Sequence, residues 1–513
     1  MLLLHDPTSD PMRDRAPTAV HPLIVVPLLA AAAVYYPIVH NYFREDDFVN
    51  LYFIENYSPA RFLITVWAEH SLVTRNAIWW VLHAFVGTHP QPYFVLTFLT
   101  HLAAVGMLFE ALHRLTGSAT TACLAASLWG TAAVHEEAIG WFSVYGQLVG
   151  TVIVTWMLLR LADIRDGDGF GGRAMFGWSL LVLMVVTSFG VGLGIVFALP
   201  AIAFVLLPRS APWIRLVMMF AVMAVVSFLL YSNLIALNWK LYGPFPHLPI
   251  TAALSVPRAL FKLLGLLAGN GIVALHAGPF AKRVPELGWT WRVLVGAWVF
   301  LVLVTFVRAP GSHRRVMLAG LALAFACYAA LAGGRAPYFA NGIEFQHEAR
   351  YQYAATIGLA TMSCVVLARV GARLRPSSAR PMVGLVALVA AMVLGERFFA
   401  PPINHHVSER LETESVIGAI RAEVAKAPAG ADVYIENKRF GGVGPLLSTV
   451  GMPWFPGWAA VFAIFFPDDT VDGRRVHFVT DPAIVKAGEQ GRRSAHLLVP
   501  RDSRGASATP LAH

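Results

Sequence analysis

The chain has 513 residues, 57% of them hydrophobic and only 13% charged, with 32 Phe and 14 Trp. So apolar a composition excludes a soluble multidomain protein and points to a polytopic membrane protein. The formal net charge of +9 fits cytoplasmic loops facing anionic lipid, and no nucleic-acid partner is expected.

Residues 1–20 are polar, and the first apolar run lacks a small-residue cleavage site, so it is expected to stay as a signal anchor behind a cytoplasmic tail. A spanning helix needs ~20 apolar residues. The first span is read at about 21–39; Arg13 and Arg15 precede it, which puts the next loop outside the cytoplasm. That loop carries three consecutive carboxylates, Glu45, Asp46 and Asp47. Residues 62–66 and 77–86 are apolar but short, and read as interfacial helices. Between them runs a polar strip from Glu69 to Arg75 that keeps company with the first loop.

Further spans are read at about 92–112, 119–134, 142–161, 174–188, 195–207, 216–234, 291–307, 316–332, 351–367 and 382–395. Residues 258–275 read as a re-entrant or interfacial helix and are not counted. The result is an α-helical polytopic domain over 21–395 with about eleven spans, its arginines gathered in the loops assigned to the cytoplasm. Cys123, Cys327 and Cys364 lie apart inside apolar runs, without metal-ligand spacing, and read as core residues. From 396 the character changes. Residues 408–426 have helical apolar spacing, and 431–436, 476–479 and 496–500 read as strands. They predict a small extracytoplasmic α/β domain over 396–505, with a disordered tail at 506–513.

Charge beside a bilayer is expensive and calls for a reason. Three adjacent carboxylates raise one another's pKa, and one of them can serve as a general base for an acceptor hydroxyl. The bland alternative is that Asp46 or Asp47 caps the helix that follows. A second acidic cluster, His135-Glu136-Glu137, falls on the same predicted face. It would position the acceptor, or hold a divalent cation (Mg or Mn) through hard oxygen ligands together with Glu45; loop carboxylates that cap the next helix are the alternative. Arg350, flanked by Tyr351, suits a phosphate head group, because its guanidinium is a planar fork of donors. Arg75, Lys240, Lys262 and Arg335 are weaker candidates for the same role, and a snorkelling anchor is the alternative for Arg350. No phosphate-binding Gly motif of the P-loop or Rossmann type is present.

These residues resemble the GT-C superfamily of polyprenyl-phosphate-sugar glycosyltransferases, which includes protein mannosyltransferases and lipid A sugar transferases. The resemblance rests on Glu45-Asp-Asp47, Tyr93 to His101, Val134-His-Glu-Glu-Ala-Ile-Gly-Trp141 and Glu348-Ala-Arg-Tyr351, within residues 20–395. In the family an acidic pair in the first external loop is base or metal ligand; here it falls on Asp46 and Asp47. Glu137-Ala-Ile-Gly-Trp141 matches the end of a stretch found in protein mannosyltransferases, while the His-Pro spacing before it is lost. The resemblance implies a sugar donor on a polyprenyl phosphate, an extracytoplasmic acceptor (protein, lipid or envelope glycan), and a site in the bacterial inner membrane. The competing classes are a lipid-linked saccharide flippase, which would place ionisable groups in mid-span, and a non-catalytic membrane scaffold.

Overall fold

The computed structural model describes residues 21–44, 46–66, 70–166, 170–208, 211–242, 250–277, 289–340, 342, 349–374 and 387–395, then 418, 421–422, 424–430, 432–436, 470–471, 473–479 and 496–498. The first part of the chain builds α1 (Val25–Tyr35), α2 (Asp46–Asn56), α3 (Pro59–Ile64), α4 (Val73–Val86), α5 (Pro90–Thr116), α6 (Ala119–Thr131), α7 (Glu136–Gly140) and α8 (Tyr145–Arg165). The second builds α9 (Gly172–Val186), α10 (Val191–Leu206), α11 (Ala211–Tyr242), α12 (Ile250–His276), α13 (Trp289–Arg308), α14 (Gly311–Ala340) and α15 (Ala355–Leu374).

Local chemistry sets these boundaries. Pro in the first turn of α5 costs no hydrogen bond. Gly117 ends the helix in the left-handed region at φ 72°, its N–H on the His113 carbonyl at 2.8 Å. Ser118 then caps α6, so the chain reverses in two residues. Between α14 and α15 the approach depends on two glycines. A Cβ on Gly358 would sit 2.3 Å from the Gly320 carbonyl oxygen, and one on Gly320 would sit 2.7 Å from that of Gly358. Small residues allow this in a bilayer, where packing rather than the hydrophobic effect holds helices together.

Among the described residues seven helices are long and apolar enough to cross a membrane: 22–40, 90–116, 142–165, 213–237, 255–276, 289–308 and 311–340. The protein is therefore an integral membrane protein. Gly172–Val186, Val191–Leu206 and Ala355–Val370 are apolar but shorter. The span expected at 119–134 is the 13-residue α6, and of the one expected at 382–395 the described part, 387–395, is helical. Long helices alone thus do not reach eleven. Segments 62–66 and 77–86 fall on α3 and α4, six and 14 residues long.

Residues 258–275, left out of the expected spans, lie in α12. Lys262 Nζ sits 5.3 Å from the Phe339 ring, and a Cβ on Gly271 would meet the Tyr328 hydroxyl, so α12 runs antiparallel to α14. Trp291 Nε1 donates to Asn270 Oδ1 at 2.9 Å, and Trp298 Nε1 lies 3.1 Å from His276 Nε2. These pairs make α13 parallel to α12, so α12 adds no reversal between α11 and α13.

The bundle has two distinct ends. At one, Arg114 holds Glu110 and Asp163, Arg160 also holds Asp163, and Arg165 donates to the Arg114 carbonyl. Arg369 donates to the Arg308 carbonyl, and Arg314 to that of Val307; α15 brings these to the same end, since Cys364 lies against Thr116 and Thr121 beside the Gly117 turn. The opposite end carries the acidic loop. Beyond 395 the described residues include β1 (Asp432–Glu436), β2 (Thr470–Val471), β3 (Arg474–Val479) and β4 (His496–Leu498) in the order β2-β3-β1-β4. β1 pairs parallel with β3 and β4, and β2 antiparallel with β3. Most of the helix expected at 408–426 lies outside the described residues.

Candidate functional site

The first loop folds onto the irregular elbow between α6 and α8. Asp47, fully buried, is the fixing point. Its Oδ1 accepts the Ser143 N–H at 2.7 Å and the Ser143 hydroxyl at 2.6 Å, and its Oδ2 accepts the Arg44 N–H at 3.1 Å. Burial pushes its carboxyl up to about 7, against these three donors and the Arg44 charge, which pull it down.

Arg75, from the first turn of α4, backs this contact. It makes four hydrogen bonds: Nη1 to the Ser143 carbonyl at 2.8 Å, Nη2 to Asn50 Oδ1 at 2.5 Å, and Nε and Nη2 to Asn76 Oδ1 at 3.0 and 2.6 Å. The guanidinium is 5.2 Å from the Trp79 ring. Burial lowers its pKa to about 9, which leaves it charged at neutral pH. Arg75, one of the weaker candidates for phosphate, is buried with its guanidinium on protein acceptors.

The second group lies at the same end, on the other side of Trp141. Arg350, in a 3-10 turn over Ala349–Gln352, gives its backbone N–H to Glu137 Oε2 at 3.0 Å and pairs through Nη1 with Glu137 Oε1. Its guanidinium lies 5.1 Å from the Trp141 ring and 5.2 Å from that of Tyr351, within cation–π range. Arg44 approaches Trp141 as well, at 4.7 Å. Asp47, Arg44, Trp141, Arg350 and Glu137 thus form one continuous set. Glu137 and Arg350 are 22% and 20% exposed, and Asp46 and Glu136 are half-buried.

His135 departs from the expectation that grouped it with the glutamates. It is fully buried, 3.2 Å from Thr356 Oγ1, among the rings of Trp129, His101 and Tyr353. Burial holds its pKa well below the usual histidine value. It belongs to an internal hub: His101 Nδ1 is 2.9 Å from the Tyr353 hydroxyl, and Trp129 Nε1 donates to Thr356 Oγ1 at 3.1 Å. The hub ties the segment before Glu137 to the segment after Arg350. Glu45 lies outside the described residues, as does the side chain of Lys240.

Both oxygens of Asp47 and both of Glu137 accept donors, His135 faces the core, and among the described residues no group of three or more His, Cys, Asp or Glu side chains gathers. The residues the sequence did not single out are Ser143 and Asn76. Asn50 is one helical turn after Asp46, whose carbonyl it caps at 2.6 Å, and that spacing is the one signal that could have found it. His70 was also missed. It stacks on Phe189 at 4.2 Å, and burial followed by the charges of Arg335, Arg75 and Arg350 holds its pKa well below the usual value.

No protein-family model matches the chain, and no curated protein matches it. Among solved structures it is similar to ArnT from Cupriavidus metallidurans bound to undecaprenyl phosphate, with a TM-score of 0.47 and 14% identity over 94% of this chain and 93% of that one. It is also similar to the Archaeoglobus fulgidus oligosaccharyltransferase in complex with Zn and sulfate, with a TM-score of 0.42 and 12% identity over 88% of this chain and 62% of that one.

Proposed function

We propose that the chain is a membrane glycosyltransferase that moves a sugar from a lipid-linked phosphate to an acceptor outside the cytoplasm. The observation that carries this is the Arg350 fork, held between Trp141 and Tyr351 beside the acidic loop, at one end of an apolar bundle. A planar guanidinium and a backbone N–H aimed at one point suit a phosphate oxygen pair, and the apolar helices suit its lipid tail. The arginine-rich end is assigned to the cytoplasm by the positive-inside rule, which leaves the site on the far side.

In the reaction an acceptor hydroxyl attacks the anomeric carbon, and the bond from that carbon to the phosphate oxygen breaks. The bonding pair stays on the phosphate, where Arg350 stabilises the charge as it builds. The hydroxyl proton passes to a carboxylate. Asp46 is assigned that role, because Asp47 is sealed by three donors while Asp46 is half-buried beside it. Asp47 positions the loop.

The test is transfer of labelled sugar from an isoprenyl-phosphate donor to envelope glycan, with folding followed separately. Asp46→Asn should keep the fold and lose about 10²–10⁴-fold in turnover. Asp47→Asn should lose stability first and keep measurable turnover. A fully active, folded Asp46→Asn protein rejects the base assignment; absence of sugar transfer by the wild type from any lipid-phosphate donor rejects the function.

A further inference from the structure

Glu137 occupies two donors, the Arg350 backbone N–H and Nη1, that the proposed site would offer a phosphate. Its Oε2 sits on the Arg350 N–H at 3.0 Å and its Oε1 on the guanidinium Nη1. A carboxylate and a phosphate present the same pair of acceptor oxygens, so the two compete for these two donors. We infer that Glu137 is a resident competitor for the anion subsite: the incoming phosphate takes the Arg350 fork, and the displaced Glu137 carboxylate swings free to meet the acceptor. This inference rests on the lipid-phosphate reading above.

The mobility of the two partners differs in the direction the exchange requires. Arg350 is held on several sides. Trp141 and Tyr351 flank its guanidinium. Its turn is anchored by Gln352, which accepts from the Tyr328 hydroxyl at 2.7 Å, and by Tyr353 and Thr356 in the hub. Glu137 projects from a five-residue helix whose next three residues, Ala138, Ile139 and Gly140, are buried. The helix is therefore fixed and the side chain is the element that can turn. The Glu137 side chain is 22% exposed, so water can reach it once it turns away.

A purely structural ion pair makes the opposite prediction. If Glu137 only orients Arg350, its removal loosens the fork and weakens phosphate binding. If it competes, its removal tightens binding while turnover falls, because the displaced carboxylate no longer meets the acceptor.

The experiment measures the Kd of undecaprenyl phosphate for the full chain in lipid nanodiscs, alongside sugar transfer. Glu137→Gln keeps the shape and removes the charge. It should bind about fivefold tighter, the factor that a partly exposed ion pair is worth, with reduced turnover. Glu137→Asp keeps the charge but is one methylene too short to hold both donors, and should fall between wild type and Glu137→Gln in affinity; it serves if the Gln variant does not fold. Unchanged or weaker binding in these variants, with normal binding by the wild type, overturns the exchange and leaves the lipid-phosphate reading standing. Absence of binding by the wild type overturns both.

Discussion

Two charged regions sit within a few residues of each other and are built on opposite principles. Asp47 and Arg75 are buried and spent on other parts of the protein. Around Glu137 and Arg350 the charges are paired, flanked by rings and still about one-fifth exposed. The difference teaches that charge at a membrane surface has two separable uses. A sealed network sets the shape of the loop, and a partly open pair is left to meet a ligand. The sharpest way to break the comparison is Arg75→Ala. It strips Asn50, Asn76 and the Ser143 carbonyl of their donor in a dry environment. Leaving buried polar groups unpaired costs about 1–3 kcal/mol each, so a loss of roughly 3–5 kcal/mol is expected, read as a drop in thermal stability of the purified protein in detergent. A loss below about 1 kcal/mol would mean that the network is not sealed.

The pH dependence of the same network has a definite sign. The Asp47 carboxyl rises from an ordinary 3.8 to about 7 because burial outweighs its donors. Below about pH 4 it is protonated in both the folded and the unfolded chain. Between about 4 and 7 the unfolded chain gives up the proton and the folded one retains it, so stability attributable to this group is lost as pH rises through that window, and the loss is complete above about 7. Asp47→Asn does not titrate. The wild type should therefore lose stability relative to that variant from pH 4 to 7 in matched thermal melts. No change over that interval, with a gain confined to below about pH 4, would mean that the donors, rather than burial, dominate.

Much of the bundle was legible because it depends on runs and punctuation. Apolar length located most helices, and the strip from Glu69 to Arg75 did meet the first loop through Asn50. The strand positions near 432, 474 and 496 followed from alternation. What stayed hidden was phase. Neighbouring helical residues point about 100° apart, so Asp46 and Asp47 face different surroundings, and adjacency cannot tell which of them is sealed. The same holds for His135 and Glu137, one turned into the hub and the other toward Arg350. Ser143 carried no signal, since its importance comes from where the elbow places its N–H and hydroxyl. Arg75 and Arg350 look alike in sequence, and only the supply of nearby protein acceptors separates a brace from a binding residue.

That separation gives the smallest effect on stability and the most direct contrast with Arg75. Arg350→Lys keeps the positive charge but replaces a planar fork with a point charge. The pair it disturbs is partly solvated, and pairs of that kind contribute about 1 kcal/mol or less, so the melting temperature should stay close to that of the wild type. Turnover should not. If Arg350 holds the phosphate as its charge builds, loss of one directed donor is expected to reduce kcat about 10²-fold. Lysine can still meet Glu137, so a merely structural pair would leave both quantities nearly unchanged. The decisive reading is the ratio of the two effects. For Arg75→Ala stability should fall before activity is compared at all, whereas for Arg350→Lys activity should fall in a protein that melts normally. A variant at 350 that melts early and retains its turnover would place Arg350 with the braces.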